Sequence, residues 1–340
     1  MNPKIASFLS YLLFLIFFCL PVVSLSNSNP AKEPPGYTFY KFLKEEKQND
    51  STNFWTTGGS FRINFRTVSL SNWNQGGVDF ISGGTELRLL ANYEKNNFVW
   101  INKFIGEYSL IRKDDELLNR FVPDNDRFQV TTEISRKLKK NVLLTGSVDF
   151  RSQFYESRKY RKVTRDTLET VVGTLTNEFM APGYLKPSIG ITYRLNNDNK
   201  NYAMLAPITG KFTFVLNDSL SNAGAFGVED SSRIRPEVGP GLEMVVRQAL
   251  MENVMFNTEL SLFSNYNEIT TIDVDWKTLL NFKVNKYISS SIKTHLIYDE
   301  DIKIIKDKDQ ELPRDQRKAT SAVQFRYELI LGFLLDFSNK

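Results

Sequence analysis

Cysteine is almost absent from this sequence, and the single one, Cys19, lies in an N-terminal apolar segment. That segment, residues 5–23, follows Lys4 and ends shortly before Ser26, an arrangement typical of a cleavable signal peptide. A retained membrane anchor is the alternative, because the run is nearly long enough to span a bilayer. The polar stretch that follows favours cleavage, so we predict that residues 1–26 are removed. A mature chain without cysteine excludes disulfides and cysteine-based catalytic or metal sites.

An excess of one sign of charge is also missing. The first 26 residues hold one lysine and no acidic residue, so the remainder carries 42 basic and 39 acidic residues, a net charge of +3. Nucleic-acid binding requires clustered basic excess, and we expect none. No second long apolar run occurs, which excludes helical membrane spans. A transmembrane β-barrel passes this test, because only alternate residues of its strands face lipid.

Alternation of apolar and polar residues dominates the chain after a polar segment, residues 27–53, which we interpret as a periplasmic N-terminal segment. The clearest case is 142–154, and the final strand repeats the pattern up to Phe337. About twelve such segments follow one another, each near the length that a tilted strand needs to cross a bilayer. The sequence therefore predicts an all-β fold, a transmembrane antiparallel up-and-down barrel of about twelve strands over residues 54–340.

The connections between these segments alternate in length. Long connections are predicted at 71–83, 111–126, 155–183, 217–237 and 300–317, with a medium one at 265–269. Between them stand short turns near residues 96, 140, 198, 252 and 285. This sorting is typical of an outer-membrane barrel with long outer loops and tight periplasmic turns, and a soluble sandwich has no reason for it.

The C-terminus and the aromatic residues give weaker support for the same fold. Gly332, Leu335 and Phe337 match the spacing of the signal that barrel-assembly machinery recognises in a final strand. We therefore expect that machinery and outer-membrane lipid as partners. Aromatic residues near predicted strand ends are candidates for interfacial girdles, although aromatics favour strands in any case; they are Trp55, Trp73, Trp100, Tyr184, Trp276 and Tyr298.

Several short runs resemble a family of outer-membrane proteins of unknown function, domain of unknown function 3078, typical of the Bacteroidota. The resemblance implies a barrel fold and an outer-membrane location. It implies no activity and no catalytic residues. The runs are Ser69–Gly77, Phe150–Phe154, Phe179–Leu185, Pro207–Lys211, Glu252–Val254, Leu262–Tyr266, Ile272–Trp276 and Leu296–Asp301.

The predicted inner face carries charges of both signs in near balance. A pore selective for one ion sign tends to line its constriction with a single sign of charge. Interleaved charges instead favour paired networks across a narrow lumen, without generous conductance. The candidate lumen residues are Arg62, Arg66, Arg88, Asp149, Arg151, Glu243, Arg247, Asp273, Asp275, Lys293, His295, Arg326 and Glu328.

His295, the only histidine of the sequence, is the first candidate for a catalytic residue. A twelve-stranded barrel can be a phospholipase that uses serine and histidine, but such a site faces lipid, whereas this histidine is predicted to face inward. One histidine also cannot supply the usual multi-histidine metal site. An acidic cluster around Asp299–Asp301 lacks the ligand spacing of a calcium loop, so a solvated loop is favoured. We expect no cofactor, no metal and no catalytic residue.

Three functional classes remain from the sequence. The first is a non-enzymatic, porin-like outer-membrane barrel that acts as a narrow channel or as a structural or envelope-interaction protein. The second is a barrel-embedded hydrolase of lipid or lipopolysaccharide. The third is a secreted, soluble β-rich binding domain. The solute, the partner proteins and the role of residues 27–53 do not follow from the sequence.

Overall fold

The structure is a computed structural model that describes residues 54–68, 80–113, 121–165, 168–195, 201–285, 287–305 and 319–338. The predicted signal peptide, the segment 27–53 and Trp73 lie outside these residues. Within them the chain forms sixteen strands, one short α-helix, α1 (Asp218–Ser221), between β9 and β10, and two 3₁₀ helices, Ala225–Gly227 and Tyr266–Glu268. The strands are β1 Trp55–Val68, β2 Phe80–Lys95, β3 Phe98–Lys113, β4 Val122–Lys139, β5 Val142–Ser152, β6 Ser157–Arg165, β7 Leu168–Asn177, β8 Gly183–Arg194, β9 Tyr202–Phe214, β10 Ile234–Met251, β11 Val254–Phe263, β12 Asp273–Lys283, β13 Ile288–Tyr298, β14 Lys303–Ile305, β15 Ala319–Ser321 and β16 Gln324–Ser338.

Twelve of the described strands close into one antiparallel barrel, in the ring order β1-β16-β13-β12-β11-β10-β9-β8-β5-β4-β3-β2. Each strand of the ring pairs with its two neighbours, so the ladder has no free outer edge, the state that a β-structure in lipid requires. The other four strands form two hairpins outside the ring, β6–β7 and β14–β15. This confirms the predicted fold of about twelve antiparallel strands.

The two ends of the barrel differ in the length of their connections, as predicted. At one end, the short-turn end, the links are residues 96–97, 140–141, 195–201, 252–253 and 284–287. At the other, the long-loop end, they are 69–79, 114–121, 153–182, 215–233, 264–272 and 299–323. The β6–β7 and β14–β15 hairpins lie within two of these long connections. Both chain ends of the ring, Trp55 and Ser338, lie at the short-turn end.

The outer face of the barrel is apolar and exposed along nearly every strand. Half-exposed aliphatic side chains include Ile134, Leu144, Ile189, Leu205 and Ile292. The pairing register puts charged side chains on this face only near the strand ends, at Lys95, Arg112, Asp126, Arg136 and Lys139. Among the described residues, none of the helices has the length and hydropathy to cross a bilayer.

A small apolar cluster stands beyond the barrel wall at the long-loop end. Val215, Leu220 and Val228 of the β9–β10 connection are buried against Ala181, which precedes β8. The side-chain amide of Gln153 donates to the carbonyl oxygens of Glu178 and Ala181 at 2.5 and 3.2 Å. The two long connections are therefore packed together as one unit over β5, β8 and β9.

Candidate functional site

The lumen is the candidate site, and its wall is set by the strand register. Residues that are paired on neighbouring strands point to the same side of the sheet. One residue known to point inward therefore shows which residues of every other strand in the ring point inward. By this register the structure places all thirteen candidate lumen residues on one face. They are Arg62, Arg66, Arg88, Asp149, Arg151, Glu243, Arg247, Asp273, Asp275, Lys293, His295, Arg326 and Glu328.

Ion pairs that cross the ring show that this face is the inner one. Arg151 on β5 lies 3.7 Å from Asp275 on β12, and those strands are five places apart in the ring. Lys293 on β13 lies 3.8 Å from Glu107 on β3, four places away. Side chains of such distant strands meet only through the middle of the barrel. The lumen is therefore narrow enough for opposite walls to touch.

Further polar contacts tie neighbouring parts of the inner wall together. Lys186 on β8 donates to Ser261 on β11 at 2.9 Å. Glu107 also accepts from Arg127, at 2.7 Å, and the guanidinium of Arg88 forms two hydrogen bonds with Glu86, at 2.7 and 3.2 Å. Oppositely charged groups are thus interleaved, and neither sign forms a continuous path along the wall.

The short-turn third of the lumen contains buried apolar side chains beside buried polar ones such as Asn92, Ser135, Thr145 and Asn281, and the sequence analysis did not predict the apolar group. These inward residues are each less than a tenth exposed; the group, here called the apolar plug, comprises Leu90, Val99, Ile101, Leu143, Tyr202, Met204, Val245 and Met255. Tyr202, Met204 and Val245 pack together around Ala206. The plug makes this end of the barrel a packed core.

The signal for the plug is present in the sequence but is easily missed. Near the short-turn end, several strands carry two consecutive aliphatic residues, as in Leu89-Leu90, Leu143-Leu144 and Val245-Val246. One residue of each couple faces outward and the other inward. Strict alternation stops at these couples, and the interruption marks the depth at which the interior becomes apolar.

His295 belongs to a charged group in the middle of the lumen. Its Nε2 lies 2.8 Å from an Asp275 carboxylate oxygen, and the ammonium of Lys277 is 3.2 Å from the same oxygen. In the part of the chain that the structure describes, no serine hydroxyl contacts the ring. The structure therefore offers a histidine–carboxylate pair without an adjoining nucleophile.

The acidic cluster after β13 is paired with basic residues, which corrects the prediction of a solvated loop. Lys211 on β9 lies 2.5 Å from Asp273 and 2.8 Å from Asp299. Arg235 on β10 lies 3.0 Å from Glu237 and 3.5 Å from Asp301. Asp299 is buried because it continues the inward-facing positions of β13, so its side chain points into the mouth of the barrel at the long-loop end. Within the described ranges, no group of three metal-ligating side chains stands ready to hold an ion.

Tyr184 is also placed differently from the prediction. It is paired with Arg151 on the inner face, and the Arg151 guanidinium stands 4.8 Å from its ring centre. Tyr184 therefore lines the lumen and belongs to no outer girdle. At the short-turn end, Trp55 does pack on Trp100 and Tyr93, with ring centres 5.5 and 5.2 Å apart.

The residues of the predicted assembly signal all lie in β16, the strand that completes the ring. Gly332 is paired with Asn64, Leu335 with Phe61 and Phe337 with Gly59 of β1. Their recognition by assembly machinery stays a prediction.

Comparison with known proteins supports the predicted resemblance for part of the chain. Residues 65–157 match the model of a family described as a protein of unknown function (DUF3078). This match confirms the resemblance over β2 to β5, and an origin in the Bacteroidota stays a prediction. No curated protein matches the chain.

Several solved barrels are similar to the chain at low identity. The β domain of the Bordetella autotransporter BrkA is 11% identical, with 83% of this chain and 100% of that one covered and a TM-score of 0.33. The translocator domain of the autotransporter NalP from Neisseria meningitidis is 10% identical, with 88% and 92% covered and a TM-score of 0.32. The Pseudomonas putida toluene transporter TodX is 7% identical, with 84% and 88% covered and a TM-score of 0.31. Likenesses of this size say nothing about activity.

Proposed function

We propose that this protein is an integral β-barrel of the bacterial outer membrane whose lumen is closed at its periplasmic end. The apolar outer face supports the membrane location, because in water it would expose a continuous belt of aliphatic side chains around the barrel. Charged residues near the strand ends would flank that belt at the two membrane surfaces. The same pattern disfavours the secreted, soluble domain considered from the sequence.

The proposed orientation follows from the loops. In outer-membrane barrels the tight turns face the periplasm and the long loops face outward. The short-turn end, with both ends of the barrel sequence, is then periplasmic, and so is the segment 27–53. Export with cleavage near Ser26 is part of this proposal.

The apolar plug is the observation that carries the closed lumen. Water and ions do not pass through a packed set of aliphatic side chains, because they would have to give up hydrogen bonds without compensation. Cross-lumen pairs such as Arg151–Asp275 narrow the middle of the barrel as well. We infer a structural or ligand-holding barrel, with an outward-facing polar well, in preference to a general diffusion pore.

Single-channel recording in planar bilayers tests the closed lumen. The wild-type protein is expected to show no steady open level in any salt. Thinning the plug with Leu143→Ala, Met204→Ala and Val245→Ala together is expected to produce conductance steps. The matched control changes outward neighbours, Leu144→Ala and Val246→Ala, and is expected to stay closed. A large, steady wild-type conductance would contradict the proposal.

Location in the membrane is tested separately, by fractionation and by gel migration. A folded barrel runs differently on gels before and after boiling, and we expect this heat-modifiable migration in the outer-membrane fraction. N-terminal sequencing of that material checks the cleavage near Ser26. Recovery of a folded protein in the soluble fraction would remove the membrane proposal.

The absence of enzymatic activity is also a proposal. It is supported by the inward position of His295 and by its bond to Asp275. No turnover of phospholipid or lipopolysaccharide by the purified protein is expected. Turnover that disappears in a folded His295→Ala variant would establish the hydrolase instead.

A further inference from the structure

The β6–β7 hairpin at the long-loop end holds the excess positive charge of the chain. β6, with the sequence SRKYRKVTR, has five basic residues and no acidic one. Across residues 157–177 the sequence holds five basic and two acidic residues, a net charge of +3. The whole chain after residue 26 has the same net charge of +3, so the remainder of it is neutral overall. The hairpin is therefore the one segment with a charge imbalance of this size.

The strand register distributes these charges unequally over the two faces of the hairpin. One face, here called the covered face, carries Arg158 and Lys162 together with the acidic Glu169. Arg158 is already hydrogen-bonded to Glu156, at 3.0 Å. The other face, here called the basic face, has eight positions, none of them acidic: Lys159, Arg161, Val163 and Arg165 of β6, opposite Thr174, Val172, Thr170 and Leu168 of β7.

The covered face is turned towards the rest of the protein, and the basic face is turned away from it. Leu175, on the covered face, packs against the small apolar cluster at the long-loop end. On the basic face, Lys159, Thr170 and Thr174 are exposed, and Val172 is 40% exposed. The face with the unbalanced charge is thus the accessible one.

The base of the hairpin is fixed to the outer side of the barrel wall. The backbone N–H groups of Phe154 and Tyr155, just before β6, donate to the carboxylate of Asp126 at 2.9 and 2.6 Å. The ring of Phe154 packs on the outward Phe128, with ring centres 5.4 Å apart. Asp126 is one of the charged outer residues near the strand ends, where the apolar belt stops. In the proposed orientation the hairpin therefore begins at the level of the outer-leaflet headgroups.

We propose that the basic face of the β6–β7 hairpin docks on the phosphate-bearing headgroups of glycolipids in the outer leaflet around the barrel. Lys159, Arg161 and Arg165 supply the positive charge that attracts phosphate. The aliphatic positions between them, Val163 and Val172, suit the boundary between headgroup and hydrocarbon. This docking rests on the proposed membrane location and adds to it a contact outside the hydrocarbon layer.

A fluorescent label on the basic face tests the docking. The protein is refolded into phosphatidylcholine vesicles that contain increasing fractions of lipid A, a phosphorylated glycolipid. Thr170→Cys is labelled with acrylodan, whose emission moves to shorter wavelength when water leaves its surroundings. The only natural cysteine, Cys19, lies in the predicted signal peptide. A saturable shift is expected with lipid A and none in phosphatidylcholine alone, and added salt is expected to reduce it.

Two double variants of β6 form a matched comparison, because each removes one lysine and one arginine. Lys159→Gln with Arg161→Gln, on the basic face, is expected to raise the lipid A fraction at half-maximal shift about tenfold or more. Arg158→Gln with Lys162→Gln, on the covered face, is expected to change it by less than about twofold. Basic residues on an open strand edge also hinder pairing with other chains, whichever face they occupy. Equal effects of the two double variants would therefore overturn the docking.

Two further results would contradict the docking. One is an unchanged emission at every lipid A fraction. The other is a larger shift with poly-glutamate, added to pure phosphatidylcholine vesicles, than with lipid A, which would assign the basic face to an acidic polypeptide. Heat-modifiable migration is measured on the same vesicles. A protein that never inserts fails the membrane proposal, whereas an inserted barrel without a shift fails the docking alone.

Discussion

Asp275 in the lumen contacts basic side chains from three strands of the barrel. Its carboxylate lies within 4 Å of Arg151, Lys277 and His295, which come from three different strands. Removal of one partner from such a group leaves like charges facing each other in a poorly solvated space. The residue therefore joins opposite walls of the barrel.

Substitution Asp275→Asn is expected to destabilise the folded barrel by about 2 kcal/mol, below the cost for a fully buried pair because the carboxylate keeps some exposure. Urea unfolding of the protein in vesicles measures this change. Asp218→Asn is the matched control, since the Asp218–Arg233 pair is mostly exposed. That change is expected to stay within about 0.5 kcal/mol. Equal effects for both variants would contradict the assigned role of Asp275.

At this scale the sequence predicted the face of a side chain but not its partners. Parity along a strand places Arg151 and Asp275 on the inner wall. Their contact depends on the ring order and on the diameter of the barrel, which no local pattern encodes. Asp299 was predicted to be solvated for the same reason, because its partners Lys211 and Arg235 come from strands far away in sequence.

Bulges adjust the strands of the barrel to one another. In β10 the register with β9 shifts between Gly239 and Gly241. A Cβ at Gly239 would stand 1.8 Å from the carbonyl oxygen of Ser264, so only glycine fits the backbone there. The bulge brings β10 close to the β11–β12 connection.

Gly239→Ala is expected to destabilise the barrel by about 1–3 kcal/mol, because the backbone must move to admit the methyl group. Gly146→Ala in β5 is the control, since nothing lies within 4 Å of a Cβ at that position. It is expected to be nearly neutral. Thermal unfolding followed by the gel shift compares the two variants, and a neutral Gly239→Ala would show that the contact relaxes freely.

The outer face of β8 provides a test of the membrane belt. Ile189→Arg puts a charge at an exposed aliphatic position in the middle of the strand and is expected to cost about 2–4 kcal/mol in lipid. Val171→Arg changes a comparably exposed position on the β6–β7 hairpin, outside the ring, and is expected to cost almost nothing. Refolding yield into vesicles distinguishes them. In a water-soluble barrel both substitutions would be harmless.

At the level of elements, the alternating pattern predicted every strand of the ring. It missed β6, β7 and β14, which it assigned to long loops, and β15, which follows the loop predicted at 300–317. Strands that belong to a hairpin outside the ring have no lipid on one side and no lumen on the other, so alternation is not required of them. The sequence of β6, SRKYRKVTR, illustrates this: its basic residues fall at both parities.

At the scale of the whole molecule, the described strands form a ring that begins at Trp55, and we expect this ring to be the unit that folds. Every described ladder of the barrel uses residues from 55 onward. The sorting of long and short connections was predictable because it follows from chain order alone. From the sequence, a narrow lumen was predicted only through ion pairing; the apolar plug draws its eight residues from six strands, and no local pattern shows that they share one end of the barrel.

A chain that starts at residue 54 is expected to refold into vesicles with the same heat-modifiable migration as one that starts at residue 27. The reason is that each ladder described for β1, with β2 and with β16, begins at Trp55 or later. Gel migration and proteolytic protection of the two chains provide the comparison. Failure of the shorter chain to fold would show that residues 27–53 take part in the barrel.

The pairing of β1 with β16 has a consequence for biogenesis. The first and last strands of the ring are neighbours, although almost the whole chain separates them. The ring cannot close until the last strand has been synthesised. A shorter chain can form only an open sheet, whose two edge strands carry unpaired backbone groups that can pair with other chains. For the exported barrel proposed above, we therefore expect nascent copies to cross the periplasm without a closed ring, and we expect a chain truncated before the last strand to fail to form the barrel.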